Sequence, residues 1–205
     1  MFSILWAIGL FIGAMLLALL EIQTEKEKKK DDEKLNEDDE RLHGWAEDLN
    51  CWRPNPDSFI AKVYARVMGG KPLTGYHIAM FISVFIFLHF PFFAGVDWNL
   101  ARELEVLSSY FLLAVCWDFL WFVWHPKGGL KKFKPKFIWW HKHWIKDRVP
   151  TDYPSGLVVS LFFALIAVVF GGSNIIVWWG VTLGILTGLT LLSCLISQLV
   201  RKGQA

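Results

Sequence analysis

Five long runs of apolar residues divide this chain, at residues 3–20, 75–94, 104–124, 155–171 and 175–199. A helix needs about 20 predominantly apolar residues to cross the roughly 30 Å hydrocarbon core of a bilayer, and the runs approach or reach that length. The pattern predicts an all-α fold: an integral membrane helical bundle of five transmembrane helices, with interfacial helices on the cytoplasmic side. A bundle of four spans is the alternative.

Polar stretches separate the apolar runs and set the predicted organisation of the chain. In chain order, the predicted segments are a transmembrane helix at 1–20, a charged cytoplasmic segment with an amphipathic helix at 21–74, two transmembrane helices at 75–124, a basic aromatic interfacial loop at 125–154, a transmembrane helical hairpin at 155–199 and a cytoplasmic tail at 200–205. A tight turn rich in glycine, at residues 171–174, joins the two helices of the hairpin.

Basic residues are distributed very unevenly along the chain. The segments 21–74, 125–154 and 200–205 hold 10, 8 and 2 of the 21 Lys and Arg residues, and only Arg102 remains. Five alternating spans place these three segments on one side, which the positive-inside rule assigns to the cytoplasm. We therefore expect a multi-pass protein of the plasma (inner) membrane, with its N-terminus outside. Because the net charge is only +2, no nucleic-acid partner is expected.

The first cytoplasmic segment combines two kinds of sequence. Its tract from Glu25 to Arg41 mixes both charges and has few apolar residues, which is typical of a solvated helix or a disordered linker. After this tract, apolar residues recur at helical spacing over residues 56–68. That spacing predicts a short amphipathic helix on the membrane surface.

The second cytoplasmic segment interleaves lysines with aromatic rings. Such rings enter the acyl boundary while the ammonium groups meet anionic headgroups, at about 1 kcal/mol per well-placed cation. The predicted partners are therefore membrane lipids, with recognition of an anionic headgroup or phosphate as the specific case and simple anchoring of the loop as the alternative. The predicted lipid-interface residues are Lys131, Lys132, Lys134, Trp139, Trp140, Lys142 and Trp144.

The last apolar run carries Gly180, Gly184 and Gly188, a doubled GxxxG pattern. Glycines at this spacing remove side chains along one stripe of a helix and allow another helix to approach closely. The predicted role is helix packing. The partner helix belongs either to the same chain or to a second copy, in which case the protein is a homo-oligomer.

Asp118 lies inside the third span, about a turn and a half before its cytoplasmic end. A carboxylate at that depth is costly unless it is paired or hydrated, so an acidic residue there often has a functional role. Asp118 is therefore the candidate catalytic residue. The alternative is a structural hydrogen bond to Tyr, Trp or Lys of a neighbouring span.

Several histidines are predicted to lie near the same end of the bundle, and imidazole is a common metal ligand. Asp118 has Trp and Phe at the i+3 and i+4 positions, where helical chelation needs a second ligand, and the HxxxH and HxxHH boxes of membrane hydroxylases are absent. The cofactor is left open, with a metal or haem as one alternative. The candidate metal ligands are His77, Asp118, His125, His141 and His143.

Five groups of residues between about residues 17 and 156 stand out in combination: Leu20-Glu21-Ile22-Gln23, Gly44-Trp45-Ala46-Glu47 with Trp52-Arg53, Leu73-Thr74-Gly75-Tyr76-His77, Asp118-Phe119-Leu120-Trp121-Phe122-Val123 with Pro126, and Ile138-Trp139-Trp140-His141 with Asp152-Tyr153. In this combination the chain resembles a family of small, uncharacterised prokaryotic multi-span membrane proteins, and the resemblance brings no activity with it. Compared with the family pattern, residues 24–42 are an insertion. The family has Asn where this chain has His125, which favours Asp118, His77 and His141 as the positions to test.

These features favour a membrane binding or scaffolding component whose functional face is cytoplasmic, around Asp118 and His141. Two alternatives from other classes stay open. One is a membrane redox enzyme that holds a metal or haem with the same groups, and the other is a small proton-coupled transporter that uses Asp118. The residues do not decide whether the protein is an enzyme.

Overall fold

The computed structural model describes residues 3–24, 52–67, 70, 72–126, 129–138, 140–171 and 174–203. Its α-helices are α1 (Ile4–Thr24), α2 (Phe59–Val67), α3 (Gly75–Phe93), α4 (Leu100–Trp124), α5 (Asp152–Gly171) and α6 (Asn174–Gly203). All of these except α2 are long and apolar enough to cross a membrane. The predicted all-α membrane bundle with five spans is therefore confirmed. The charged tract from Glu25 to Arg41 lies outside the described residues.

Helix α4 is the centre of the bundle. Of its most apolar stretch 61% is buried, whereas the corresponding fraction is 22% or less in the other four long helices. Helices α1, α5 and α6 pack around α4, and α3 contacts α4 from another side. The α4 residues of the main core include Leu112, Leu113, Leu120 and Phe122. Most of the apolar surface of the outer helices is thus left for contact with lipid.

Contacts to α4 fix the direction of every other long helix. They are Trp6 to Ser109 and Gly13 to Leu113 for α1, Phe81 to Trp117 and His89 to Glu103 for α3, Ser160 to Ser108 and Gly171 to Ala101 for α5, and Thr190 to Cys116 and Ser193 to Trp124 for α6. Helices α1 and α6 therefore run parallel to α4, and α3 and α5 run antiparallel to it. The ends of α1, α4 and α6 and the starts of α3 and α5 lie at one end of the bundle, which we call the basic end.

Serine hydroxyls join α4 to α5 within the apolar interior. The Ser108 hydroxyl donates to the carbonyl oxygen of Ser160, and the Ser160 hydroxyl donates to the carbonyl oxygen of Ser108, each at 2.9 Å. The indole N–H of Trp179 in α6 also donates to the Ser160 hydroxyl at 2.9 Å. Because an unpaired polar group is costly in hydrocarbon, these reciprocal bonds link three helices at a defined height.

The start of α3 is held by the segment that precedes α2. The N–H of Gly75 donates to the carbonyl oxygen of Trp52 at 2.7 Å. A Cβ atom at Gly75 would lie only 2.9 Å from that oxygen, so a glycine is needed for this approach. Thr74 caps α3 by accepting a hydrogen bond from the N–H of His77. The segment is thereby fixed beside the basic end.

The amphipathic helix predicted at residues 56–68 is present as α2. Its side chains Phe59 and Ile60 are 82% and 69% exposed, and Val63 is also exposed, whereas Ala61 is buried. One face of α2 therefore packs on the protein, and an apolar face points away from it. An exposed apolar face on a short helix beside a membrane bundle is typical of a helix that lies in the bilayer interface.

The glycine stripe of α6 lies on the outside of the bundle. A Cβ atom at Gly180, Gly184 or Gly188 would have no described atom within 4 Å, helix backbone aside. The contacts of α6 with the other helices instead use the face with Thr182, Leu186 and Ser193, which are buried. Of the two predicted partners for the stripe, a helix of the same chain is not found among the described residues. Self-association stays a prediction.

Candidate functional site at the basic end

Three parts of the chain bring four polar side chains together at the basic end: Asp118 from α4, His141 from the loop between α4 and α5, and Asp152 and Tyr153 from the start of α5. Nδ1 of His141 donates to Oδ2 of Asp152 at 2.6 Å. The phenolic hydroxyl of Tyr153 donates to Oδ2 of Asp118, also at 2.6 Å. Nε2 of His141 lies 3.5 Å from the same oxygen of Asp118. We call these four residues the imidazole–carboxylate cluster.

A small hairpin brings His141 back to Asp152. Strands β1 (Trp144–Ile145) and β2 (Val149–Pro150) pair antiparallel, with Trp144 opposite Pro150. The N–H of Arg148 donates to the carbonyl oxygen of Ile145 at 3.0 Å across a turn whose central residues, Lys146 and Asp147, have positive φ angles of 49° and 54°, as in a type I′ turn. The chain thus reverses within a few residues. As a result, the loop enters α5 directly beside the histidine.

The position of Asp152 also suits its charge. It is the first residue of α5, where the partial positive charge of the helix N-terminus stabilises a carboxylate. Asp118 comes from the last turns of α4 and reaches the same place from the opposite direction. The side chains of Asp118 and Asp152 are 40% and 53% exposed, so protein atoms do not cover the carboxylate side of the cluster.

His141 is the buried centre of the cluster, since its side chain is only 6% exposed. Burial by itself lowers its pKa, but the carboxylates of Asp118 and Asp152 outweigh this effect and raise the pKa to about 9. The indole of Trp144 donates to the carbonyl oxygen of His141 at 2.8 Å. At neutral pH the imidazole is therefore positively charged, and it pairs the loop with both helices.

Aromatic rings pack around the imidazole–carboxylate cluster. The ring of Phe133 lies 5.0 Å from that of Phe122, and it stacks on Tyr153 with the centroids 5.9 Å apart. Tyr153 in turn meets His141 edge-on at 5.8 Å. Such edge-to-face and stacked pairs add about 0.5–1.5 kcal/mol each beyond the area that they bury. The ring of His141 is thus surrounded by packed aromatic side chains of the protein.

This packing changes the predicted picture of the basic aromatic loop. Trp140 is 5% exposed and belongs to the main core, and Trp144 is partly buried against it. Trp140 therefore packs against protein and does not enter the acyl boundary as predicted. The ring of Trp140 faces inward because the end of α4 offers it an aromatic surface. Trp139 lies outside the described residues. The predicted lysines behave differently: Lys132 is partly exposed, and Lys131, Lys134 and Lys142 are exposed.

The structure separates the five predicted metal ligands. His141 and Asp118 are in the cluster, whereas His77 bonds Thr74 at the start of α3 through Nδ1 at 2.8 Å. His125 caps α4 and lies against Trp121, and His143 is exposed. Over the described ranges, no group of three or more His, Cys, Asp or Glu side chains is arranged to hold a metal ion. The cluster itself offers at most two neighbouring ligand atoms, Nε2 of His141 and Oδ2 of Asp118.

A second cation fixes the end of α4 from the side of α6. The guanidinium of Arg201 donates to the carbonyl oxygens of Val123, His125 and Pro126, at 3.2, 2.7 and 3.2 Å. These carbonyls belong to the end of a helix, where backbone acceptors lack intrahelical partners and a positive charge is favourable. Arg201 therefore terminates α4 where the loop begins.

Two residues of the cluster, Asp152 and Tyr153, were not among the predicted site residues. The loop between them and His141 hides the pairing, because its turn is made by Lys146 and Asp147 and lacks the glycine or asparagine that usually indicates a type I′ turn. A signal was nevertheless present. Asp152-Tyr153 belongs to the same group of residues as His141 in the resemblance to small prokaryotic membrane proteins.

Comparison with known proteins adds no homologue from which a function could be inferred. No protein-family model matches the chain, and no curated protein or solved structure matches it either. The resemblance to small prokaryotic membrane proteins therefore stays a prediction.

Proposed function

We propose that this chain is a membrane binding component that presents a structured basic surface to anionic headgroups on the cytoplasmic side. The observation that carries the proposal is the division of the loop into two faces. Ile138 and Trp140 are buried in the core, while Lys131, Lys134 and Lys142 are exposed. The loop thus holds its cations on a fixed support.

The imidazole–carboxylate cluster supplies that support. His141 connects the loop to α4 through Asp118 and to α5 through Asp152, at 3.5 and 2.6 Å. A loop that is already ordered loses little conformational entropy when it binds a headgroup. Each exposed lysine near an anionic surface then contributes about 1 kcal/mol. A fixed set of three gives a preference for anionic over zwitterionic lipid.

The orientation is part of this proposal. The described basic residues lie mainly at the basic end, and the positive-inside rule favours the cytoplasm for that end. Single cysteines at Lys142 and at Val96 test it, in a chain whose Cys51 is replaced by Ser and whose Cys116 and Cys194 are buried. A membrane-impermeant maleimide should label Val96→Cys in intact cells and Lys142→Cys only after lysis. Labelling of Lys142→Cys in intact cells would reverse the orientation.

Headgroup binding can be measured directly. The purified protein is equilibrated with equal amounts of phosphatidylglycerol and phosphatidylcholine in the presence of a chelator, and the retained lipid is measured by native mass spectrometry. The triple variant Lys131→Gln, Lys134→Gln and Lys142→Gln should reduce the preference for phosphatidylglycerol at least about tenfold, because three well-placed cations are lost.

The matched control removes three exposed cations from other parts of the same end, as Lys62→Gln, Arg66→Gln and Lys202→Gln. This variant should keep the preference. An equal loss in both triple variants would show a general charge effect and contradict a specific surface on the loop. A wild-type protein that retains both lipids equally would remove the proposal altogether.

A redox role that needs a metal ion held by three or more side chains gains no support from the described residues. An absorption spectrum of the purified protein provides a further check. A haem band would contradict a purely binding role.

A further inference from the structure

The imidazole–carboxylate cluster has the layout of a histidine that is prepared to bind a metal ion. Histidine ligands in metal sites usually donate their second ring N–H to a carboxylate, which fixes the tautomer and the ring orientation. In this chain Nδ1 of His141 does so, to Oδ2 of Asp152 at 2.6 Å. The other nitrogen, Nε2, faces Asp118 and would bind an ion by releasing the proton that it carries in the cation-free protein.

Nε2 of His141 is buried and has no hydrogen-bond partner among the residues that the structure describes. It faces Oδ2 of Asp118 across 3.5 Å, which is longer than an ordinary hydrogen bond. Two ligand atoms on one tetrahedral cation are about 3.3 Å apart when each bond is about 2.05 Å long. The separation of Nε2 and Oδ2 therefore fits a pair of atoms that share a cation.

Asp118 is itself oriented for this role. The Tyr153 hydroxyl donates to its Oδ2 at 2.6 Å, as outer hydrogen bonds do for carboxylates that bind metal ions. The side chain is 40% exposed, so an ion can reach it without displacing a helix. We propose that Asp118 and His141 form an exchangeable site for a first-row divalent transition cation, with Asp152 and Tyr153 as positioning residues.

The donor set decides the class of ion. One imidazole nitrogen with one carboxylate oxygen suits Zn²⁺ or Mn²⁺ better than Mg²⁺ or Ca²⁺, which prefer oxygen ligands alone. The protein supplies two ligands, so water or a bound anion fills the other positions. The site would thus hold its ion more weakly than a closed structural zinc site does. No lysine is among its ligands, so Zn²⁺ binding and lipid preference can be measured separately.

The test uses the purified full chain after treatment with a chelator, and ZnCl₂ alone is the titrant in calorimetry. One equivalent should bind to the wild type. Asp118→Asn keeps the size of the side chain and should weaken Zn²⁺ binding at least about tenfold, and Asp152→Asn should weaken it about 10–100-fold by loosening the histidine. Helical circular dichroism of each variant verifies the fold.

The matched control is His143→Gln, which removes an exposed imidazole two residues from His141. It should leave zinc binding unchanged. Co²⁺ gives a second readout, because a visible absorption band of the wild type should be lost in Asp118→Asn and kept in the control. A folded wild type that binds no stoichiometric Zn²⁺, or an Asp118→Asn variant that binds it normally, would overturn the site. Lipid preference is measured with chelator present, so neither result would contradict the proposed lipid binding.

Discussion

Asp152, the first residue of α5, accepts a hydrogen bond from Nδ1 of His141 at 2.6 Å. This one bond fastens the loop to the helix that follows it. Asp118 approaches the other nitrogen of the same ring from α4, so a single imidazole joins two spans and the connection between them. The loop's position at the basic end depends on that pairing.

Replacing Asp152 with Asn should loosen the loop. Asn keeps the shape but loses the charge, and a charge-assisted hydrogen bond is worth about 1.5–3 kcal/mol when buried. Because the Asp152 side chain is 53% exposed, we expect a loss nearer 1 kcal/mol. Thermal unfolding in detergent measures it. Asp147→Asn, in the exposed turn, is the control, since Asn also tolerates a positive φ angle. Equal loss in both variants would contradict a specific role for Asp152.

The stability of the cation-free protein should depend on pH through His141. Its folded-state pKa of about 9 is higher than the ordinary value of 6.5, so protonation stabilises the fold. This contribution is complete below pH 6.5 and is lost as the pH rises through 9. Unfolding curves recorded in chelator over this range should show the decline, and Asp118→Asn should make it shallower. His143→Gln should keep it, and a wild-type curve that stays flat up to pH 9 would refute the prediction.

Replacing Arg201 with Ala should destabilise the end of α4. Three carbonyl oxygens lose their shared donor, and we expect a loss of about 1–3 kcal/mol because the contact is partly buried. Arg201→Lys should recover only part of it, since an ammonium lacks the forked geometry. Lys202→Ala, an exposed neighbour, should have little effect on unfolding. If Arg201→Ala unfolds like the wild type, the guanidinium contacts are not stabilising.

Ser160→Ala should weaken the junction of α4, α5 and α6. The substitution removes the hydroxyl that donates to Ser108 and accepts from Trp179, and interhelical bonds of this kind are worth about 0.6–1.7 kcal/mol in membranes. Ser155→Ala is the control, because that exposed hydroxyl bonds only the preceding turn of its own helix. Unfolding in detergent should separate the two variants by about 1 kcal/mol. If the two variants unfold alike, the serine pair does not stabilise the junction.

Some of this structure could be read from the sequence because membrane spans have a requirement that is local. A run such as residues 155–171 is long and apolar whatever its neighbours are, so α5 could be predicted from it alone. Asp118 and His141 were placed near each other for a related reason, since the depth of one and the loop position of the other follow from the spans. The distance between their side chains could not be predicted from the spans.

Other features depend on which surface a side chain meets, and no local pattern encodes that. Alternating lysines and rings look alike whether the rings enter lipid or pack on a helix end, so Trp140 was predicted at the lipid interface although it is buried in the protein. The outward position of Gly184 was equally hidden, because a GxxxG stripe has the same spacing inside or outside a bundle. In both cases the position depends on which surfaces are buried in the folded protein.

Because Arg201 lies near the end of α6, the loop after α4 gains its guanidinium contacts only late in synthesis. The carbonyl oxygens of Val123, His125 and Pro126 leave the ribosome long before the arginine that covers them. Until α6 is inserted, the end of α4 has no guanidinium donor, and the chain from α4 into the loop is less restrained. The basic end is therefore complete only when α6, the last described helix, has been inserted. A ribosome-stalled chain that ends before α6 should carry a loop that proteases cut more readily than they cut the finished one.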